Sequence, residues 1–472
     1  MNIKKAVLIN AMGKYSTIVI QLAVNIVLAR LLSPGEYGIS AVITTFSTFL
    51  YTLSAMGLGT AIVQIKNLDR DDIDSIFTFS VYVSLGLGVI FGFFSFAIAA
   101  MYGNQVYIKL GWMLSISLFF NGMNMVPEGV MSRDKRFVSM AVRTAVVYSA
   151  AGILAVILAY LHFSFYALIV QNIFSGVSSF VWNYMSTKPR FRLHFQILSI
   201  KKIFSYSAYQ MGAQIVGYFG TNIDTLIGGM LLGEADVGYY NKAYTLSNYP
   251  VNNFAAVISG VLHAVLSDYQ DDKNKLYEYH IRINRILGLA GVYIGTVCYL
   301  AADELMTILF GTNWSFSIIC FRILSITMIF RMMNSATNAI YQSLGRTDLL
   351  FRERCIKVAI MIGFVLFGIF KLGGLKGFVS GVTMAYACFY ALTVAMLCIW
   401  GFESSIFQHI WEMRKEIAVQ AFMIAALLIY PFSYDDLWLS FIVKAVYLLL
   451  FYSTACLIFE RNFLKGLIKN DG

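Results

Sequence analysis

Fourteen apolar windows bounded by charged residues recur along the chain, and each is close to the length needed to cross a lipid bilayer. They run over 15–33, 38–60, 76–100, 110–127, 141–160, 165–185, 205–232, 243–266, 286–302, 316–340, 356–371, 377–400, 416–432 and 438–459. A spanning helix needs about 20 predominantly apolar residues. Of the 472 residues 59% are apolar and 13% are charged, against roughly 25% charged in soluble domains. A soluble chain of this length would lack the polar cover it needs. Helices satisfy their backbone groups within the segment, so the expected class is an all-α polytopic membrane protein with about 14 transmembrane helices. Lys4 and Lys5 precede the first window and no small-residue cleavage site follows it, which reads as an anchor rather than a removable signal.

Several other classes recede. Cys298, Cys320, Cys355, Cys388, Cys398 and Cys456 lie mostly in apolar stretches without a CxxC pair, so they read as packing residues rather than a disulfide or metal set. The five histidines show no metal-ligand spacing, and no catalytic or metal residues are assigned. Gly86, Gly88 and Gly92 fall inside a window and predict close helix packing, not a nucleotide loop.

The net charge of +10 is distributed by topology. With the N-terminus inside, 27 of the 35 Lys and Arg fall in cytoplasmic segments, while Arg30, Lys109, Lys242, Lys371 and Lys376 fall outside. The positive-inside rule then selects cytoplasmic N- and C-termini. The basic excess points to anionic lipid rather than to nucleic acid. Residues 191–204 (FRLHFQILSIKKIF) alternate basic and apolar side chains, predicting an amphipathic helix on the inner leaflet.

An internal repeat is legible. LLSPGEYG (31–38) recurs as LLGEADVG (231–238), and Asp71-Asp72 maps onto Asp271-Asp272 with the same displacement of 200. MYGN (101–104) resembles LFGTN (309–313), and Asn121 maps near Asn334. Several matches in one order indicate duplication. Each copy holds six helices, an even number, so both enter the membrane in one orientation. A pseudo-two-fold along the membrane normal and a substrate site between the halves are expected. The division is an N-lobe (1–200, helices 1–6 and the amphipathic loop), a C-lobe (201–400, helices 7–12), and helices 13–14 with a cytoplasmic tail (401–472).

Four helices carry polar stripes. Helix 1 has Lys14, Thr17, Gln21 and Asn25; helix 7 has Gln210, Gln214, Thr221 and Asp224. Helix 4 has Asn121, Asn124 and Glu128; helix 10 has Arg331, Asn334, Ser335, Asn338 and Gln342. A charge at mid-bilayer costs about 2.5–3.5 kcal/mol on insertion scales, so each needs a reason. Two readings stand beside each other: a hydrated cleft, favoured because the stripes obey the repeat, and interhelical hydrogen bonding that holds the bundle. Arg322, nine residues before Arg331, falls on the opposite face and reads as structural or interfacial, and Lys444 as snorkelling or locally paired.

VLARLLSPGEYG…MGLGTAIVQ (27–64), NIDTLIGGMLLGEADVGYYNKAYTLSNYP (222–250) and GRTDLLFR (345–352) resemble the corresponding segments of Wzx-type oligosaccharide-lipid flippases, especially colanic-acid and teichuronic-acid exporters. The resemblance spans essentially the whole chain and implies the MOP exporter fold, with two six-helix lobes exposed alternately to the two sides. It implies a flippase that carries a polyprenyl-diphosphate-linked oligosaccharide from the cytoplasmic to the outer leaflet for capsule, exopolysaccharide or other surface glycan synthesis. The stripes then become a cleft for sugar hydroxyls and diphosphate. Arg331 is the first choice for the diphosphate, because guanidinium matches phosphate oxygens bidentately. Lys14, at the cytoplasmic mouth, is the second.

By the same resemblance Lys242 is a basic position near the outer mouth, with a role in release. Asp224, the acid within a window, stands where related flippases carry a carboxylate of a sodium site. Helices 11 and 12 offer Thr383 but no companion acid, so sodium coordination, a protonatable switch and a basic partner all stay open. No cofactor is expected beyond Na+ or H+ coupling. Partners are the lipid-linked oligosaccharide, membrane lipids and polysaccharide polymerase machinery. The alternatives are a MATE-like small-molecule exporter on the same fold and, further off, a membrane-embedded glycan polymerase, which the short outer loops disfavour.

Overall fold

The computed structural model describes residues 3–463 except 56, 66, 267, 268, 270, 271, 431, 433 and 462; at 3–16, 198, 202–211, 213, 254–266 and 347 it describes the backbone alone. Among the described residues every regular element is helical. Among the described residues eight helices are long and apolar enough to cross a membrane, nine if one bent pair counts as a single span. Most described residues of each of the fourteen apolar windows are helical. Large apolar side chains stay exposed on the helix surfaces, among them Phe93, Ile153, Phe370, Leu428 and Leu450. This is the surface that hydrocarbon, not water, solvates: the chain is a multi-pass membrane protein.

The chain forms two compact units, Met1–Gly238 and Tyr239–Gly472, where the sequence division is by repeat at 200/201. The first holds α1 (Ile3–Leu31), α2 (Pro34–Ala55), α3 (Leu58–Gln64), α4 (Arg70–Tyr102), α5 (Val106–Arg133), α6 (Phe137–Tyr160), α7 (Tyr166–Thr187), α8 (Ile197–Leu231) and the first turn of α9 (Glu234–Leu266). Helix α8, although it opens the second repeat, packs on α2 and α4 and so belongs to the first unit.

Helix α4 starts where Asp69 accepts from the Asp72 backbone N–H at 2.7 Å and Asp72 accepts in return from Asp69. This capping box satisfies two otherwise orphaned donors. Small residues bring α4 and α5 together: the Ser115 hydroxyl donates to the Gly88 carbonyl at 2.7 Å, and Gly92 lies under Trp112. Gly88 and Gly92 are thus packing glycines as expected, whereas Gly86 faces open space. A core of Val42, Ile43, Phe91, Tyr107 and Leu114 joins α2, α4 and α5.

The two copies of the repeated octet meet in this unit. A Cβ on Gly38 would collide with the Glu234 carbonyl, and one on Gly238 with the Pro34 carbonyl. The contact is reciprocal, as a local two-fold requires, and glycine is what permits backbone to lie on backbone. Asp272, like Asp72, stands at a helix start, but in the place Asp69 takes in α4: it caps α10 by accepting from the Lys275 N–H at 3.1 Å.

The second unit continues α9 and adds α10 (Lys273–Leu300), α11 (Ala302–Phe310), α12 (Ser315–Ser325), α13 (Thr327–Asn334), α14 (Thr337–Ser343), α15 (Thr347–Phe367), α16 (Gly374–Met396), α17 (Ile406–Glu412), α18 (Arg414–Ile429) and α19 (Leu437–Phe459). The tenth apolar window is a broken helix: Thr312–Ser325 and Thr327–Ser343 meet at 54°. Helices α18 and α19 are tied to α10 and α11 by ion pairs. Arg285 bridges Glu416 and Glu460, each at 2.5 Å, and Lys444 meets Glu304 at 2.5 Å. Lys444 is therefore locally paired, as expected.

One sequence expectation fails. Residues 188–196 are not helical; the helix begins at Ile197. Pro189 disfavours a helical residue before it, and the Arg190 and Arg192 backbone N–H groups donate to Asp74 Oδ1 at 2.8 Å and Thr78 Oγ1 at 3.1 Å. With these donors and the Arg192–Asp71 ion pair, the segment is a strap laced to α4.

Candidate functional site

In the first unit the stripe of α5 becomes a hydrogen-bonded chain across three helices. Asn183 of α7 donates to Asn124 Oδ1 at 2.8 Å, and Asn124 Nδ2 donates to Glu128 Oε2 at 3.0 Å. Glu128 Oε1 accepts from Arg143 Nη2 of α6 at 3.3 Å. Asn124, Asn183 and Arg143 are buried, while about a third of the Glu128 side chain is exposed. Nε and Nη1 of Arg143 are buried without a hydrogen-bond partner. The carboxylate is what makes this buried cation tolerable, since a buried charge must be paired. Asn121 turns back to its own helix, donating to the Ser117 carbonyl at 2.9 Å, and fills the gap over Gly176. It is packing, not lining.

Glu128 faces a pocket of about 500 Å³ whose wall includes Tyr51, Thr52, Thr60, Gln64 and Gln214. The pocket sits where α2 gives way to α3. Gly57 holds φ at 65°, a left-handed conformation that breaks the helix before Leu58, and glycine adopts it without strain. Gln214 of α8 is thus brought to Glu128 of α5. Gln21 and Asn25 are half-buried on α1, and Asn25 donates to the Gln21 carbonyl at 3.0 Å. The side chains of Lys14 and Gln210 lie outside the described residues. Asp224 is buried, with Oδ1 accepting from the Thr225 N–H at 2.8 Å. Thr383, in the second unit, donates to the Val379 carbonyl at 2.9 Å.

In the second unit Arg331 of α13 is buried between two rings. Its guanidinium lies 4.9 Å from the centre of Tyr244 and 5.0 Å from that of Tyr386, and Nη1 donates to Ser247 Oγ at 3.0 Å. The two tyrosine hydroxyls are 2.9 Å apart. The clasp joins α9, α13 and α16. Lys242 is also buried, with Nζ 5.1 Å from the Phe310 ring centre and 5.2 Å from that of Trp314, a cation–π box. Asn334 is half-buried with Oδ1 unpartnered, and Asn338 is exposed and accepts from Arg354 at 3.3 Å. Arg322 pairs with Asp303 before the bend, which fits the structural reading of that residue.

The residue that sequence reasoning missed is Arg143. It lies inside the 141–160 window, and a charge there needs a reason, so the signal is present in the sequence. Asn183, Tyr244 and Tyr386 carried none: an amide or a tyrosine in an apolar helix says nothing about its neighbour until the helices pack.

The architecture is one already seen in solved structures. The chain shares its fold with the solved lipid II flippase MurJ in an inward closed conformation, at TM-score 0.74 and 14% identity over 97% of this chain and 100% of that one. It shares it also with an inward-facing multidrug resistance MATE family transporter of the MOP superfamily, at TM-score 0.61 and 17% identity over 85% and 95%. Residues 27–319 match the family described as "Polysaccharide biosynthesis protein", and the chain belongs to that family. A relative is the lipopolysaccharide biosynthesis protein WzxC of Escherichia coli (strain K12), 21% identical over 76% of this chain and 73% of its own length. The Wzx-type resemblance read from the sequence is borne out.

Proposed function

We propose that the protein is a flippase that moves a polyprenyl-diphosphate-linked oligosaccharide across the bacterial plasma membrane by alternating access, for cell-surface glycan synthesis. The observation that carries this reading is a pocket of about 500 Å³ that sets Glu128, Gln64, Gln214 and two threonines among apolar side chains, backed by the Glu128–Arg143 pair, within helices otherwise made for lipid. Small-molecule sites occupy roughly 300–1,000 Å³, which suits a glycan headgroup while the polyprenyl tail stays in hydrocarbon. Membership of a polysaccharide biosynthesis family supports it, as does the lipopolysaccharide role in the name of WzxC. A MATE-like exporter is the competing reading on this fold.

In this reading the protein has fourteen spans, two six-helix repeats (1–200 and 201–400) and a C-terminal pair (401–472), with both termini cytoplasmic. Arg331 exchanges its tyrosine contacts for phosphate oxygens, with Lys14 loading the donor and Lys242 assisting release. Asp224 couples transport to Na+ or H+, and polymerase machinery consumes the delivered glycan. The test is mass spectrometry of lipid-linked intermediates after depletion of the protein. Accumulation of a polyprenyl-diphosphate oligosaccharide facing the cytoplasm is expected. Unchanged lipid pools would reject the flippase in favour of the exporter.

A further inference from the structure

We propose that the pocket at the α2–α3 break receives uncharged sugar of the glycan, read through its hydroxyls, and not the diphosphate; this rests on the flippase reading above. Glu128 decides the matter. An ionised carboxylate only accepts hydrogen bonds, and Glu128 is ion-paired with the Arg143 guanidinium at 3.3 Å. Each Glu128 oxygen already takes one protein donor, from Arg143 or from Asn124, and each keeps a lone pair for another. A sugar hydroxyl supplies that donor. A diphosphate oxygen at neutral pH has none to supply, and it meets a like charge.

The rest of the described wall agrees. Thr52 and Thr60 spend their protons on the carbonyls of Thr48 at 2.9 Å and Gly57 at 2.8 Å, so their oxygens remain to act as acceptors. Gln64 and Gln214 offer both donors and acceptors. Tyr51 adds a ring and a hydroxyl whose neighbour is the Met125 sulfur at 3.7 Å, a weak partner that a sugar oxygen displaces readily. Hydroxyl groups both donate and accept, and this mixture is what they complement. Arg143 acts through Glu128 and is a positioning residue.

The experiment uses the full-length protein in nanodiscs and native mass spectrometry with two probes. One is bare polyprenyl diphosphate; the other is the same carrier bearing its oligosaccharide, taken from cells in which polymerisation is blocked. Wild type should retain the sugar-bearing lipid more strongly. Glu128→Gln and Tyr51→Phe should each lower that retention several-fold, Glu128→Gln by about tenfold, the size of one charged hydrogen bond. Retention of the bare carrier should not change. Arg143→Met should reproduce the Glu128→Gln loss, and Arg143→Lys should restore part of it. Equal loss of both lipids would place the diphosphate in the pocket, and no loss of either would remove the pocket from substrate binding. Both results overturn the proposal while leaving a flippase. A wild type that retains neither lipid overturns the flippase reading itself. Should Glu128→Gln fail to fold, Tyr51→Phe, which removes one oxygen, carries the comparison.

Discussion

Arg331 shows how a residue chosen from sequence changes meaning once its neighbours are known. The cost of an arginine in an apolar helix marked it, and the phosphate-bearing substrate of the resembled family suggested a use. The structure adds a clasp: two tyrosine faces and the Ser247 hydroxyl hold the guanidinium across three helices. Arg331→Ala should nearly abolish translocation and lower stability by about 1–3 kcal/mol, because it removes a charged hydrogen bond and two ring contacts. Arg331→Lys should recover part of transport, since the charge survives but the planar fork does not. Arg322→Ala loses only a half-exposed pair with Asp303, worth about 0–1 kcal/mol, and should transport nearly normally. Complementation of a deletion strain, normalised to membrane abundance, measures all three. Normal transport by Arg331→Ala would remove it from the substrate path.

At the scale of elements, the repeated octets are where sequence and structure agree most closely. LLSPGEYG and LLGEADVG end one helix and begin the next, and their glycines meet reciprocally against Glu234 and Pro34. Added methyl groups there have nowhere to go, since both obstacles are backbone. Gly38→Ala and Gly238→Ala should each destabilise by about 1–3 kcal/mol, read as a lowered thermal midpoint in detergent. Gly86→Ala, which meets open space in a helix, should be neutral or raise the midpoint, as helix propensity gains up to about 1 kcal/mol. A tolerated Gly38→Ala would show that the corner is looser than its geometry. The strap at 188–196 is the opposite case. Its basic–apolar alternation is that of an amphipathic helix, yet side-chain acceptors on α4 more than 110 residues earlier in the chain take its backbone donors.

At the scale of the whole molecule, the topology argument rests on charge. Reporter fusions at Lys188 and Lys273 should read cytoplasmic, and fusions at Gly233 and Asp435 external. An external signal at Lys188 would overturn the count through the first six spans. The structure lengthens many helices past their apolar windows, so acids that sequence windows leave at the margins become buried members of helices or, for Glu460, cap the end of one. Glu304, Glu353, Glu416 and Glu460 are all buried, and each has a basic partner: Lys444, Lys357, Arg285 and Arg285. All but the Glu353 pairing bind α18 and α19 to α10 and α11 within the second unit.

Hydropathy and the displaced octets determined the helical membrane class, the window positions and the two matching helix corners, because each is a one-dimensional signal written in consecutive residues. The polar stripes were legible for the same reason, since the positions that share a helix face follow from a 3.6-residue period. Tertiary structure alone decided which stripe residues form a site. Asn121 and Asn124 differ by three positions on one face, yet one bonds to its own helix and the other to Glu128 and Asn183. Arg143 joined them only when α6 packed beside α5, and Tyr244 and Tyr386 closed on Arg331 from helices 142 positions apart. Pairing across helices depends on interaxial contacts that no local period encodes, and that is where the chemistry of this protein resides.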